Sequence, residues 1–162
     1  MTRYATLGYL RDGERILLGK KKYGGAKGKL NGFGGKVDAT DPSFTAALIR
    51  EFKEETNLDI KDPTLKGTLV FPNVEGDQVI HIYEVVEFSG IPEESDEMTV
   101  DWYDSSDIDI DNMWPNDKVW FGLMRLPFKF VVRFNGPKIN DHETNISIRL
   151  INEINEETYK EN

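Results

Sequence analysis

Residues 34 to 58 read GGKVDATDPSFTAALIREFKEETNL, a glycine pair followed by a segment carrying Arg50, Glu51, Glu54 and Glu55. On a helix turning about 100° per residue, the three glutamates share one narrow face, where like charges at such spacings repel. A cation is therefore expected against them. The chain has no cysteine, and its two histidines, His81 and His142, lie far from this segment. A hard, oxygen-seeking ion fits such donors: Mg²⁺, with Mn²⁺ as the alternate. Taken alone, REFKEE could equally be a solvated charged face. The glycine pair in front tips the reading toward a site, because glycine lets a backbone come close to whatever the carboxylates bind.

The rest of the segment predicts how the face is held. Asp41 and Pro42 suit a helix start, as cap and first-turn residue, with the helix running over 42–56. Phe44, Ala47, Leu48 and Phe52 have the spacing of a core-facing stripe, so the acidic face points away from that core. Asn57 can end the helix in a left-handed conformation. Arg50 can hold a carboxylate in a fork-like pair.

This stretch resembles the signature of the Nudix hydrolases, G-x5-E-x7-R-E-U-x-E-E-x-G-U with U apolar. Arg50-Glu51-Phe52 and Glu54-Glu55 match it. Three positions depart: Asp41 stands for a glutamate, one extra residue precedes Arg50, and Asn57 replaces the last glycine. The resemblance implies an α/β fold, a mixed β-sheet in an α/β/α sandwich. It also implies metal ligands at Glu51, Glu54, Glu55 and Glu97 and at a carbonyl of Gly34 or Gly35.

Beyond the signature, LNGFGGK at 30–36, ESDEM at 94–98 and MWPND at 113–117 resemble the oxidised purine nucleoside triphosphate hydrolase branch, over roughly residues 3–150. In that branch, residues matching Asn31, Trp114 and Asp117 contact the base, that matching Lys21 lies near the nucleotide, and that matching Glu97 helps bind metal. Physically, Trp114 offers a stacking face, Pro115 stiffens the turn, and Asn31, Asn116 and Asp117 offer donors and acceptors. Thr6, Phe33, Gly34, Gly35, Lys21 and Lys36 complete the expected substrate site. Glu55 is taken first as proton acceptor and Glu97 second, with Glu54 and Arg50 also in the catalytic group. The expected reaction is Mg²⁺-dependent hydrolysis of an oxidised purine nucleoside triphosphate of the 8-oxo-dGTP type to monophosphate and pyrophosphate. Two other readings stay open: a Nudix pyrophosphatase of another nucleotide, and a non-catalytic nucleotide-binding module. The placement of Gly25 and Asn73, where the branch usually has phenylalanines, leaves the base pocket with fewer aromatic walls.

Charge is unevenly spread. Residues 1–36 hold nine of the 20 Lys and Arg but two of the 29 Asp and Glu, in a chain of net charge −9. The lysines cluster around the glycine-rich loop YGGAKGKLNGFGGK, so a polyphosphate could lie between them and a metal-loaded acidic face. The acidic remainder offers no basic track for a nucleic-acid polymer, so a small nucleotide is the expected partner. The 162 residues, 38% of them hydrophobic, read as one domain over 1–162, its tail after about 151 lying outside the resemblance. No run approaches a membrane span, the start MTRYATLGYL lacks a signal-peptide pattern, and cysteine is absent. A cytoplasmic monomer, away from membranes, is expected. Periodicity predicts strands over 4–10, 16–20, 68–71, 79–88, 98–103, 128–134 and near 144–150, and a second helix over about 116–126. His81, Trp102 and Trp120 read as packing residues, and the acidic tail as solvated.

Overall fold

The computed structural model describes residues 1–136 and 146–161. The chain runs through β1 (Arg3–Asp12), β2 (Arg15–Lys21), β3 (Leu30–Asn31), β4 (Phe33–Lys36) and helix α1 (Phe44–Thr56). It continues with β5 (Asp59–Lys61), β6 (Thr64–Phe71), β7 (Gln78–Val85), β8 (Glu87–Ser89) and β9 (Met98–Asp104). After a 3-10 turn come α2 (Asp117–Trp120), a 3-10 segment Phe121–Arg125, β10 (Lys129–Arg133), β11 (Ser147–Ile151) and a last 3-10 turn, Thr158–Lys160.

Nine strands form one mixed sheet in the order β11-β10-β6-β7-β1-β2-β3, with β4 added to β1 and β9 to β2. The central strand β1 is parallel to β7 along its length, from Arg3 opposite Gln78 to Leu10 opposite Val85. Its other edge is shared: Ala5–Gly8 pair with β4, and Leu10–Asp12 with β2. Strands β5 and β8 form a separate two-stranded ribbon.

Alternation along the strands feeds two cores. Leu10, Leu17, Phe33, Tyr83 and Val85 pack with Leu48 and Phe52 of α1 on one face. Tyr9, Ile16, Leu18, Ile80 and Ile82 pack with Met113, Trp120 and Met124 on the other. The sheet therefore lies between α1 and the α2 region, as the sandwich expectation required.

Several local expectations need correction. Helix α1 starts at Phe44, not at Pro42, because Ser43 is the cap, its Oγ accepting from Ala46 N–H at 3.0 Å. Asp41 is used elsewhere, on Arg50. The end is as expected: Asn57 has φ 63° and its N–H donates to Lys53 O. The supposed glycine loop holds two strands, β3 and β4, and β5 was also unforeseen; runs of two to four residues are too short to show periodicity. The long strand over 79–88 breaks at exposed Val86 into β7 and β8. The second helix is one α turn followed by 3-10 backbone, ending just before Pro127. The strand near 144–150 is observed from Ser147, and its first positions, like His142, lie outside the described residues.

The tail is not simply solvated. Tyr159 is buried, its hydroxyl 2.6 Å from that of Tyr4, and the guanidiniums of Arg133 and Arg149 donate to the carbonyls of Tyr159 and Thr158. His81 and Trp120 are fully buried, as expected of packing residues, while Trp102 is half-buried under the Arg15 guanidinium. His81 bonds Thr68 at 2.9 Å, and burial holds its pKa down to about 4.

Candidate active site

The acidic face of α1 stands over β4. Glycine at 35 makes that contact close enough, since a Cβ there would lie 2.6 Å from Glu51 Oε1; glycine at 34 lets β4 approach β1, where a Cβ would lie 2.0 Å from the Thr6 carbonyl oxygen. Both positions are strand backbone, so glycine is required there for proximity and not for loop flexibility. The Gly34 N–H donates to Glu55 Oε1 at 3.1 Å and is thus engaged by the protein.

Glu55 is the most perturbed carboxyl of the group. Burial pushes its pKa up to about 8, the Gly34 N–H opposes that, Glu51 and Glu97 push further, and Lys21 pulls back. Glu51, also partly buried, is raised by desolvation against the pull of Arg50. Glu54 lies more in solvent and pairs with Arg50 at 3.3 Å. Glu97 is exposed just before β9, and its carbonyl accepts from Lys22 N–H.

Arg50 ties this face to the preceding loop. Its Nε and Nη2 meet the two oxygens of Asp41 at 3.0 and 2.9 Å, and its Nη1 reaches Glu51 at 3.1 Å. Asp38 lies 3.4 Å away. Asp41, Glu51 and Glu54 raise the guanidinium pKa, and Arg50 in turn lowers that of Asp41. The aspartate, one methylene shorter than the signature's glutamate, therefore still makes the bidentate pair. Arg50, like the glutamates it holds, does not line the cleft described below; its observed partners are Asp41, Glu51 and Glu54.

Among the described residues, no three acids or histidines stand close enough to hold a metal ion as the side chains lie. Glu54 and Glu51 are drawn to Arg50 instead. The donor set nevertheless suits a hard cation, because it is all oxygen and because Glu55 carries a pKa raised by burial and by two like charges.

Beside this face lies a cleft of about 320 Å³. Thr6, Lys21, Asn31, Gly34, Gly35, Lys36 and Trp114 line it, which brings together residues 108 positions apart in sequence. Ala5, Leu7, Gln78 and Ile80 also line it and were missed; their place follows from the β1–β7 register, which no local pattern reveals, and Ala26, from the loop between β2 and β3, was missed as well. A second cavity of about 480 Å³ adjoins, sharing Ala5, Lys36 and Gln78.

Some expected substrate residues sit elsewhere. Phe33 is fully buried under α1, its ring 5.4 Å from that of Phe52, so it is core. Thr6 borders the cleft, but its neighbours Ala5 and Leu7 take the cleft face. Alternation thus puts its buried hydroxyl on the α1 side, without a hydrogen-bond partner. Pro115, Asn116 and Asp117 follow Trp114 but are not part of the lining. Asn116 and Asp117 are buried behind it, where Asp117 Oδ2 accepts from Trp114 N–H at 3.2 Å.

The comparisons with known proteins agree with this geometry. A family model described as the NUDIX domain matches residues 1–123. An oxidized purine nucleoside triphosphate hydrolase of Danio rerio is 36% identical over 138 residues, covering 84% of this chain and 86% of that protein. Its Mus musculus counterpart is 34% identical over 151 residues, covering 92% and 94%. Among solved structures, a MutT protein from Bacillus halodurans shares the fold with a TM-score of 0.73 at 21% identity, covering 90% of this chain and 97% of that one. With a glutamate-bearing helix packed on a glycine strand and a polar cleft beside it, the chain belongs to the NUDIX family.

Proposed function

We infer that this protein hydrolyses oxidised purine nucleoside triphosphates, of the 8-oxo-dGTP type, to the monophosphate and pyrophosphate. The observation that carries this reading is one cleft holding two lysines, an amide and an indole, joined to the glutamate face of α1 through Gly34, which lines the cleft and donates its N–H to Glu55. The names of the two animal relatives, matched over most of their length, support the substrate class.

Glu51, Glu54, Glu55 and Glu97, with a carbonyl of Gly34 or Gly35, would hold Mg²⁺ or Mn²⁺. The ion supplies neutralisation of phosphate charge and a more acidic attacking water. Glu55 would accept a proton from the attacking water, with one of its oxygens held in place by Gly34 N–H. Arg50 fixes Glu51 and Glu54. Lys21 and Lys36 steady the phosphate oxygens from the cleft wall. Trp114 stacks on the base, and Asn31 reads its edge, backed by Asn116 and Asp117.

The same reading takes residues 1–162 as one domain, which is supported by β10 and β11 pairing into the sheet that holds β1. It acts as a cytoplasmic monomer on small nucleotides, away from membranes and nucleic-acid polymers. Among the described residues no helix is long and apolar enough to cross a membrane. A panel of 8-oxo-dGTP, dGTP, dATP, 2-oxo-dATP and ADP-ribose, read by product identity with Mg²⁺, tests the function. Faster pyrophosphate release from the oxidised purines supports it, and preference for ADP-ribose or for undamaged dGTP overturns it. Light scattering and cell fractionation test the remaining points.

A further inference from the structure

Asn31 lines the cleft, and its two neighbours decide which end of its amide faces inward. The backbone N–H of Gly32 lies 2.9 Å from Asn31 Oδ1. A backbone N–H can only donate, so the amide atom facing it is the oxygen and not the nitrogen. The Tyr9 hydroxyl donates to the same oxygen at 3.2 Å. With both lone pairs of Oδ1 engaged from inside the protein, the donor end of the amide is the end left for the cleft.

This arrangement is built rigidly. Tyr9 is fully buried, its ring held edge-on by Trp120 at 5.7 Å and Phe121 at 5.4 Å. Glycine at position 32 is required: a Cβ there would sit 2.4 Å from the Gly8 carbonyl oxygen and 3.0 Å from the Tyr9 ring. Burial and the nearby Asp117 charge raise the Tyr9 pKa well above its usual value, so the hydroxyl keeps its proton and stays a donor. Asp117 also accepts the Trp114 N–H, so Asn31, Tyr9, Asp117 and Trp114 are neighbours in one assembly, of which Asn31 and Trp114 line the cleft.

We propose that Tyr9 is a specificity-determining positioning residue: with Gly32 N–H it locks the Asn31 amide, so that the cleft meets its substrate as a donor and selects a keto oxygen over an amino group. The proposal rests on the reading of this cleft as the site of the purine. Tyr9 itself touches no substrate. It acts by removing the alternative amide orientation, in which Oδ1 would face the ligand and accept from an amino group.

The test is Tyr9→Phe, which keeps the ring and removes the hydroxyl. The ratio of kcat/KM for 8-oxo-dGTP, with a 6-keto oxygen, to that for 2-oxo-dATP, with a 6-amino group, should fall about threefold to tenfold, as expected for one neutral hydrogen bond. The change should appear in KM, with kcat nearly constant. In the nucleotide-free protein, the side-chain amide ¹⁵N order parameter of Asn31 should fall in the variant. An unchanged ratio, or an Asn31 amide as rigid as in the parent, overturns the lock and leaves Tyr9 as packing. If the parent protein releases pyrophosphate from neither nucleotide, the proposed function falls, and the order parameter alone decides the lock.

Discussion

Glu55→Gln separates the electrostatics of the α1 face from its shape. The amide keeps an oxygen for Gly34 N–H and removes the charge that burial disfavours. In the metal-free protein the Glu55 pKa is about 8 against an ordinary 4.5, so above pH 4.5 the unfolded chain loses a proton that the native state still holds. Stability attributable to this group is therefore fully present below pH 4.5 and is lost as pH rises through about 8. Each tenfold change in proton activity inside that window is worth about 1.4 kcal/mol, giving a ceiling of about 4 kcal/mol at pH 7.5. Residual solvent access reduces this to about 2–3 kcal/mol. For a chain of this length such a difference moves Tm by about 5–10 °C.

Urea and thermal unfolding in chelator, at pH 4.5 and 7.5, should show the variant matching the parent at the lower pH and exceeding it at the higher. His81, held neutral in both proteins, cancels from the difference. Mg²⁺ should stabilise the parent at pH 7.5 much more than the variant, since ligation favours the ionised carboxylate. Turnover should fall by orders of magnitude. Parallel pH–stability curves for the two proteins, or near-normal turnover in the variant, would refute the reasoning.

Trp114→Ala should weaken nucleotide binding by about 1–3 kcal/mol, seen in KM more than in kcat; an unchanged KM makes the indole structural. Arg50→Lys cannot reproduce the fork to Asp41 while holding Glu51 and Glu54, so kcat or Mg²⁺ affinity should drop about 10–100-fold; full activity would show that these carboxylates need no such support. Asn116 cannot titrate, whereas an aspartate beside Asp117 could share a proton with it. Asn116→Asp should therefore raise relative activity on 2-oxo-dATP and make base preference more pH-dependent. A parent that already prefers 2-oxo-dATP, with the ratio unmoved by the substitution, sinks that idea.

Local pattern alone determined a good part of this protein. The repulsion of three glutamates on one helical face, the apolar stripe behind them and the left-handed stop at Asn57 depend on residues within a few turns of one another, so α1 was legible nearly to its ends. Most strands long enough to show alternation were legible for the same reason, as was family membership through the motif around Arg50.

Only the tertiary structure decided what the remaining pieces are for. Gly34 and Gly35 read as a loop because nothing local says that Thr6 backbone and Glu51 will crowd them. Asp41 read as a cap until Arg50, nine residues on, was placed beside it. Phe33 moved from substrate to core, since the side of β4 it faces is set by pairing with β1. Gln78 and Ile80 entered the cleft through a parallel register whose partners lie 75 positions away in the chain. Tyr9, an ordinary core aromatic in the sequence, acquired a role because folding put its hydroxyl on Asn31. Helical faces and caps follow from short-range sterics and hydrogen bonds, while a cleft exists only where distant strands have been brought into register.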